Sequence, residues 1–176
     1  MIQFFHKITN VLNDHNIPYM LSGSVAMSLY IVPRATRDFD FIIHLLPKDI
    51  DLFVSNFKDG YYCNEESVKD AVKNHGMFNI IDHLSGYKAD FIILKNDSFR
   101  KKEFERKIQM DYFGKVIYVV TPEDLLISKL IWIQDLQSAI QSEDIKNLSS
   151  LRNLDWNYIK QWVYLLKLNT FNLLLT

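Results

Sequence analysis

Leu21-Ser22-Gly23-Ser24, with Arg34-Ala35-Thr36-Arg37-Asp38-Phe39-Asp40-Phe41-Ile42-Ile43 downstream, decides how this chain reads. The Gly-Ser pair is a turn that opens a short apolar segment, and 14 residues after Ser24 come two carboxylates separated by one residue. If the Asp38 stretch is a strand, its side chains alternate. Asp38 and Asp40 then share a face, with Cα atoms roughly 6.6 Å apart. Carboxylates that close repel unless a cation lies between them. Hard divalent ions, Mg²⁺ above all, suit such oxygen ligands, with substrate phosphates completing the shell. The Gly-Ser turn is where those phosphates could rest.

Around this stretch the apolar periodicity sets out the elements. Phe4, Phe5, Ile8, Val11 and Leu12 fall at helical spacing, so residues 2–14 read as an amphipathic helix that Asn16-Ile17-Pro18 ends. A short buried strand at 19–21 leads into the turn, a helix is expected over 24–30, and a strand over 39–45. Pro47 starts a helix that runs toward Gly60. Residues 65–74 read as a helix. The alternating runs 77–83 and 87–93 flank Ser85-Gly86 as a hairpin. A helix over 99–106 and a second hairpin, 108–113 with 116–120, come next. Thr121-Pro122-Glu123-Asp124 has the chemistry of a helix start, with Thr121 as N-cap and Pro122 at the first helical position. Helices over 142–151 and 155–168 complete the chain. A mixed α/β part followed by helices predicts an α+β fold: a mixed β-sheet flanked by helices over 1–120 and a C-terminal helical region over 121–176 packed on it.

The composition narrows the function. The chain has 176 residues, 48% hydrophobic and 14% aromatic, enough for a real core. Its net charge of −1 is not the footprint of a protein that coats nucleic acid. The run Arg100-Lys101-Lys102 with Arg106-Lys107 could contact RNA phosphates, but Glu103 and Glu105 interleave it and it reads rather as a solvated face. The single cysteine, Cys63, forms no internal disulfide, and with no signal peptide the expected location is the cytoplasm. No run approaches the length of a membrane span. His44, His75 and His83 lack zinc-ligand spacing with Cys63. Trp132, Trp156 and Trp162 sit at helical spacing and read as core or a partner interface.

Asp90 is the third carboxylate of interest. In the alternating run 87–93, Ala89, Phe91 and Ile93 face one side; Asp90 faces the other with Lys88 and Ile92. A lone Asp in an apolar strand needs a partner or an ion if it is buried. If this strand lies beside the Asp38–Asp40 strand, three carboxylates converge as in a two-metal phosphoryl-transfer site. Asp82 competes for the third position but lies closer to the turn.

Gly23-Ser24, then Asp38-x-Asp40, then a distant Asp90 resembles the pattern of the DNA polymerase β-like nucleotidyltransferase superfamily. Arg34-x-Thr36-x-Asp38-x-Asp40 looks most like its small bacterial branch, which includes the abortive-infection-type toxin transferases. Thr121 to Leu130 is similar to the helix after the catalytic sheet in that branch, and Ser142-Glu143-Asp144-Ile145 to a later helix start. The resemblance implies a nucleotidyltransferase that uses two Mg²⁺ ions and an NTP. Asp38, Asp40 and Asp90 would be catalytic and metal-binding, and Asp90 would help deprotonate the acceptor hydroxyl. Gly23, Ser24, Arg34, Arg37 and Lys129 would bind the nucleotide. The acceptor stays open among a tRNA 3′ end, a protein side chain and a small molecule such as an aminoglycoside or lincosamide. Two departures bear on the acceptor: Gln141-Ser142-Glu143 stands where toxin relatives often carry a basic cluster, and in so short a chain a large acceptor-binding domain is expected to be missing or much reduced. A second reading is a binding or regulatory protein of a toxin–antitoxin pair, its activity gated by a partner or absent. The apolar end Phe171-Asn172-Leu173-Leu174-Leu175 fits self-packing, a homodimer or a partner groove.

Overall fold

The computed structural model describes residues 1–33 and 35–175. Among these residues, eight α-helices surround one seven-stranded sheet. The elements run α1 (Ile2–Asp14), β1 (Tyr19–Ser22), α2 (Gly23–Met27), β2 (Asp38–Ile43), a 3-10 turn (Pro47–Asp49), α3 (Ile50–Ser55), β3 (Tyr61–Cys63), α4 (Glu65–Asn74), β4 (Met77–Asp82), β5 (Lys88–Ile93), α5 (Ser98–Glu105), β6 (Ile108–Tyr112), β7 (Lys115–Val119), α6 (Pro122–Asp135), α7 (Ala139–Ser149) and α8 (Trp156–Leu165). The order across the sheet is β3-β4-β5-β2-β1-β7-β6. It is mixed: β2 runs parallel to β5 and β1 parallel to β7, while the remaining neighbours are antiparallel. This is the expected α+β architecture.

The alternation of β2 and β5 divides the centre of the sheet into two faces. Phe39, Phe41, Ile43, Ala89 and Phe91 are fully buried on one. Phe5 of α1 lies 5.2 Å from the Phe39 ring and 5.8 Å from Phe41. Phe91 stacks on Phe41 and Phe78 and meets Phe53 of α3 edge-on at 5.6 Å. This aromatic layer is the middle of a single core that also takes in Leu125, Leu126, Ile145 and Ile159 from α6, α7 and α8. The opposite face carries Asp38, Asp40, Lys88 and Asp90.

Several boundaries differ from the sequence reading. The helix expected over 24–30 is five residues long and begins at Gly23; the chain then turns through 28–30. The helix expected from Pro47 is split into a 3-10 turn and α3. The strand expected over 39–45 begins at Asp38 and ends at Ile43. β3 was not foreseen: three residues are too few for a period-2 pattern. α7 starts at Ala139, not Ser142, because the Ser138 hydroxyl accepts from the Gln141 N–H. The C-terminal end packs on its own chain: Leu173 is 8% exposed, and the Leu175 N–H donates to the Ser149 hydroxyl at 3.1 Å. No helix among the described residues is long and apolar enough to cross a membrane.

Candidate functional site

The site starts from the close approach of a turn to a strand. Ser22 is the cross-strand partner of Asp40 in the antiparallel β1–β2 pair. The next residue, Gly23, has φ +63°, and a Cβ on it would lie 1.8 Å from Oδ2 of Asp40. Any side chain there would collide with the carboxylate, so the position needs glycine for both its backbone conformation and its bareness. Ser24 and Asp40 line the same cavity.

The parallel pairing of β2 with β5 then sets the acidic residues in register. Asp40 lies opposite Asp90, and Asp38 lies opposite Lys88. Lys88 Nζ donates to Oδ2 of Asp90 at 2.7 Å and stands 3.9 Å from Oδ1 of Asp38. Asp90 is 9% exposed, and its Oδ1 is buried with no hydrogen-bond partner among the described residues. An orphaned carboxylate oxygen is costly unless something absent from the polypeptide completes it. The Asp40 carboxyl is pushed up to about 6, first by lost solvation on burial and then by the charges of Asp90 and Asp38. Thr36 steadies the entry to β2: its hydroxyl accepts from the Asp38 N–H at 3.3 Å. Asp82, the competing candidate, instead ties the β4–β5 turn by accepting from the backbone of Leu84 and Ser85 and from the Ser85 hydroxyl.

The orphaned Oδ1, the raised Asp40 and an all-oxygen donor set fit a hard divalent cation, which would relieve both defects at once. The described residues do not gather three His, Cys, Asp or Glu side chains into a finished metal cage. The ammonium of Lys88 stands between Asp38 and Asp90 instead.

The carboxylates Asp38 and Asp40 border a cavity of about 390 Å³. Its far wall comes from α5, α6 and α7. Lys129 of α6 lines it, with Nζ donating to Oδ2 of Asp144 at 2.7 Å. Asp144 lies in the body of α7 rather than at the helix start expected from the sequence. Arg100 of α5 lines the cavity as well, with Nη1 donating to Oε2 of Glu103 at 2.8 Å and to the Ser128 hydroxyl at 2.6 Å. Ser128 donates in turn to Oε1 of Glu103, a carboxylate with no exposure. Burial pushes the Glu103 carboxyl up, opposed by Arg100 and Ser128. Trp132 and Ile140, each 58% exposed, are also among the residues facing the cavity.

The helices that carry this wall are fixed by a second buried carboxylate. The Thr121 hydroxyl accepts from the Asp124 N–H and donates to Oδ2 of Asp124 at 2.6 Å, so the expected N-cap is made. Arg106 Nε and the Tyr158 hydroxyl also donate to Asp124, at 2.9 and 2.6 Å. These bonds join α5, α6 and α8.

Of the residues expected to bind nucleotide, Gly23, Ser24 and Lys129 meet at the cavity. Arg37 is exposed and does not line it; its carbonyl accepts from the Lys88 N–H. Arg34 lies outside the described residues. Arg100 and Glu103 correct the sequence reading: they belonged to a charge run taken as a solvated face, yet both turn inward. The signal was present in their three-residue spacing beside Phe99 and Phe104, which are buried on the same helix.

No protein-family model matches the sequence, and no curated protein matches it. The fold is a nucleotidyltransferase-like α+β fold. Two solved structures of similar size share it. The antibiotic-resistance factor ANT(2″)-Ia, in complex with adenylyl-2″-tobramycin, superposes with a TM-score of 0.65 at 12% identity over 94% of this chain and 96% of that one. The lincosamide antibiotic adenylyltransferase LnuA, with lincomycin bound, gives 0.59 at 13% identity over 86% of this chain and 98% of its own.

Proposed function

We propose that this chain transfers a nucleoside monophosphate from an NTP to a hydroxyl of a small acceptor molecule, with divalent metal ions. The observation that carries this reading is the in-register Asp40–Asp90 pair beneath the Gly23 turn, with one Asp90 oxygen left without a partner. Asp38, Asp40 and Asp90 would hold the metal ions. When bound, such ions polarise the phosphate and stabilise the negative charge that builds up in transfer.

The chain's own residues supply the rest. Gly23 lets the backbone approach the triphosphate, and Ser24 offers a hydroxyl beside it. Arg100 and Lys129, held in place by Glu103 and Asp144, would meet the phosphate charge from the opposite wall. The acceptor oxygen attacks the α-phosphorus. Its proton passes to the Asp90 carboxylate, and the bond from the α-phosphorus to the β-phosphate oxygen breaks with its electron pair leaving on pyrophosphate. A cavity of about 390 Å³ is of small-ligand size. The two neighbours, an antibiotic adenylyltransferase and an antibiotic-resistance factor, also support a small hydroxylated acceptor over a tRNA end or a protein.

The test is pyrophosphate release from each NTP with Mg²⁺ across a panel of small hydroxylated acceptors, with the adenylylated or otherwise nucleotidylated product weighed by mass spectrometry. Acceptor-dependent release that Asp90→Asn abolishes is the expected result. Release unaffected by Asp90→Asn, or none with any acceptor, contradicts the reading and shifts weight to a partner-gated binding protein.

A further inference from the structure

Lys88 stands where a cation is wanted. It lies on β5 two residues before Asp90 and on the same face, opposite Asp38 in the β2–β5 register. Its ammonium contacts Asp90 at 2.7 Å and approaches Asp38 at 3.9 Å. It completes the acidic cluster only in part: Oδ1 of Asp90 keeps no partner among the described residues. The side chain is 35% exposed, against 13% for Asp90, so the ammonium can withdraw toward solvent along its flexible stem without unpacking the sheet. An ammonium and a divalent ion repel at this range, so a metal ion on Oδ1 of Asp90 and on Asp38 and Asp40 disfavours the ammonium on the neighbouring Oδ2 of Asp90.

We propose that Lys88 is a resident counter-cation that occupies the acidic face while the site is empty and must be displaced when metal loads. This rests on the reading of Asp38, Asp40 and Asp90 as metal ligands. Metal arriving alone has to expel the lysine into water. Metal arriving with a triphosphate brings negative oxygens with which the displaced ammonium can pair. Lys88 therefore couples metal loading to nucleotide loading and keeps the site poorly metallated between turnovers. It is a positioning residue and takes no part in bond making.

The direct test is titration of the whole protein with Mn²⁺ alone, without nucleotide, following free Mn²⁺ by electron paramagnetic resonance. Lys88→Gln is expected to bind Mn²⁺ more tightly than wild type by about tenfold or more, the scale on which a neighbouring group tunes a metal site. Lys88→Arg, which keeps the charge, is expected to stay near wild type. In EDTA, Lys88→Gln should melt below wild type, and Mn²⁺ should raise its melting temperature by more than it raises that of wild type. Unchanged or weaker Mn²⁺ binding in Lys88→Gln, with binding intact in wild type, overturns the proposal while leaving the metal site standing. A gain in Lys88→Arg equal to that in Lys88→Gln also overturns it. No Mn²⁺ binding in wild type or either variant overturns both the proposal and the metal-site reading.

Discussion

The two faces of the β2–β5 pair are made by alternate residues of the same strands, yet they are opposite in character. Phe39, Phe41 and Phe91 form a layer in which every ring has aromatic neighbours and carries no polar atom of its own. One residue away, Asp38, Asp40 and Asp90 form a face left incomplete: one oxygen is orphaned, one carboxyl is raised, and one lysine stands between two acids. The aromatic layer holds the strands in register, and that register sets Asp40 against Asp90. A strongly stabilised face thus supports one whose carboxylates are left incompletely paired, the kind of contrast by which functional sites commonly differ from cores.

The contrast can be broken most severely from the core side. Phe41→Ala should cost about 3–5 kcal/mol, measured by urea unfolding, because it opens a cavity in the centre of the stacked layer. Next comes the wall. Arg100→Gln removes the charge that pairs with fully buried Glu103, and should cost about 3 kcal/mol as an uncompensated buried carboxylate. Gly23→Ala follows, at roughly 1–3 kcal/mol, through a strained backbone and a displaced Asp40. It should also weaken nucleotide binding, which Phe41→Ala should leave intact while the protein stays folded.

The last change is of similar size and has the opposite sign. Asp40→Asn should stabilise the metal-free protein at pH 7.5 by on the order of 2 kcal/mol while cutting transfer by about 10³-fold or more. The pH dependence has the same origin. The folded protein holds the Asp40 proton more tightly than the unfolded chain does, with the folded value at about 6 against 3.8 for an unperturbed aspartate. Stability in EDTA should therefore fall as pH rises from about 4 through 6, and the penalty is fully present above that. Chemical denaturation at a series of pH values checks this; Asp40→Asn should flatten that part of the profile, and Mg²⁺ with nucleotide should reduce it. A fall of the same size in Asp40→Asn would assign the dependence elsewhere.

Much of the frame was legible from local signals. Residues 65–74 read as a helix, and α4 occupies those residues with Asn64 as its cap. The turn pair Ser85-Gly86 between alternating runs gave the β4–β5 hairpin, and Thr121-Pro122 gave the start of α6. The meeting of Asp40 with Asp90 followed only conditionally, because adjacency of two strands 50 residues apart is a property of sheet order and not of either strand. What escaped was what depends on tertiary partners. Glu103 is buried because Ser128, 25 residues away, completes its bonds with Arg100. Lys88 could be set on the face of Asp90 by alternation, but its role as the cation between two acids needs Asp38 from another strand. Lys129 was expected at the triphosphate; its pairing with Asp144 depends on how α7 packs on α6.

The central claim is that the incomplete face is a metal and nucleotide site. Thermal unfolding with ATP, GTP, CTP and UTP, each with and without Mg²⁺, tests it most directly, on wild type and Asp40→Asn. A ligand held at about 100 times its Kd stabilises the folded state by about 2.7 kcal/mol, a rise of roughly 5 °C or more for a chain of this size. The account expects such a rise with at least one nucleotide, dependent on Mg²⁺ and lost in Asp40→Asn. No rise with any nucleotide, or an equal rise in Asp40→Asn, would contradict it.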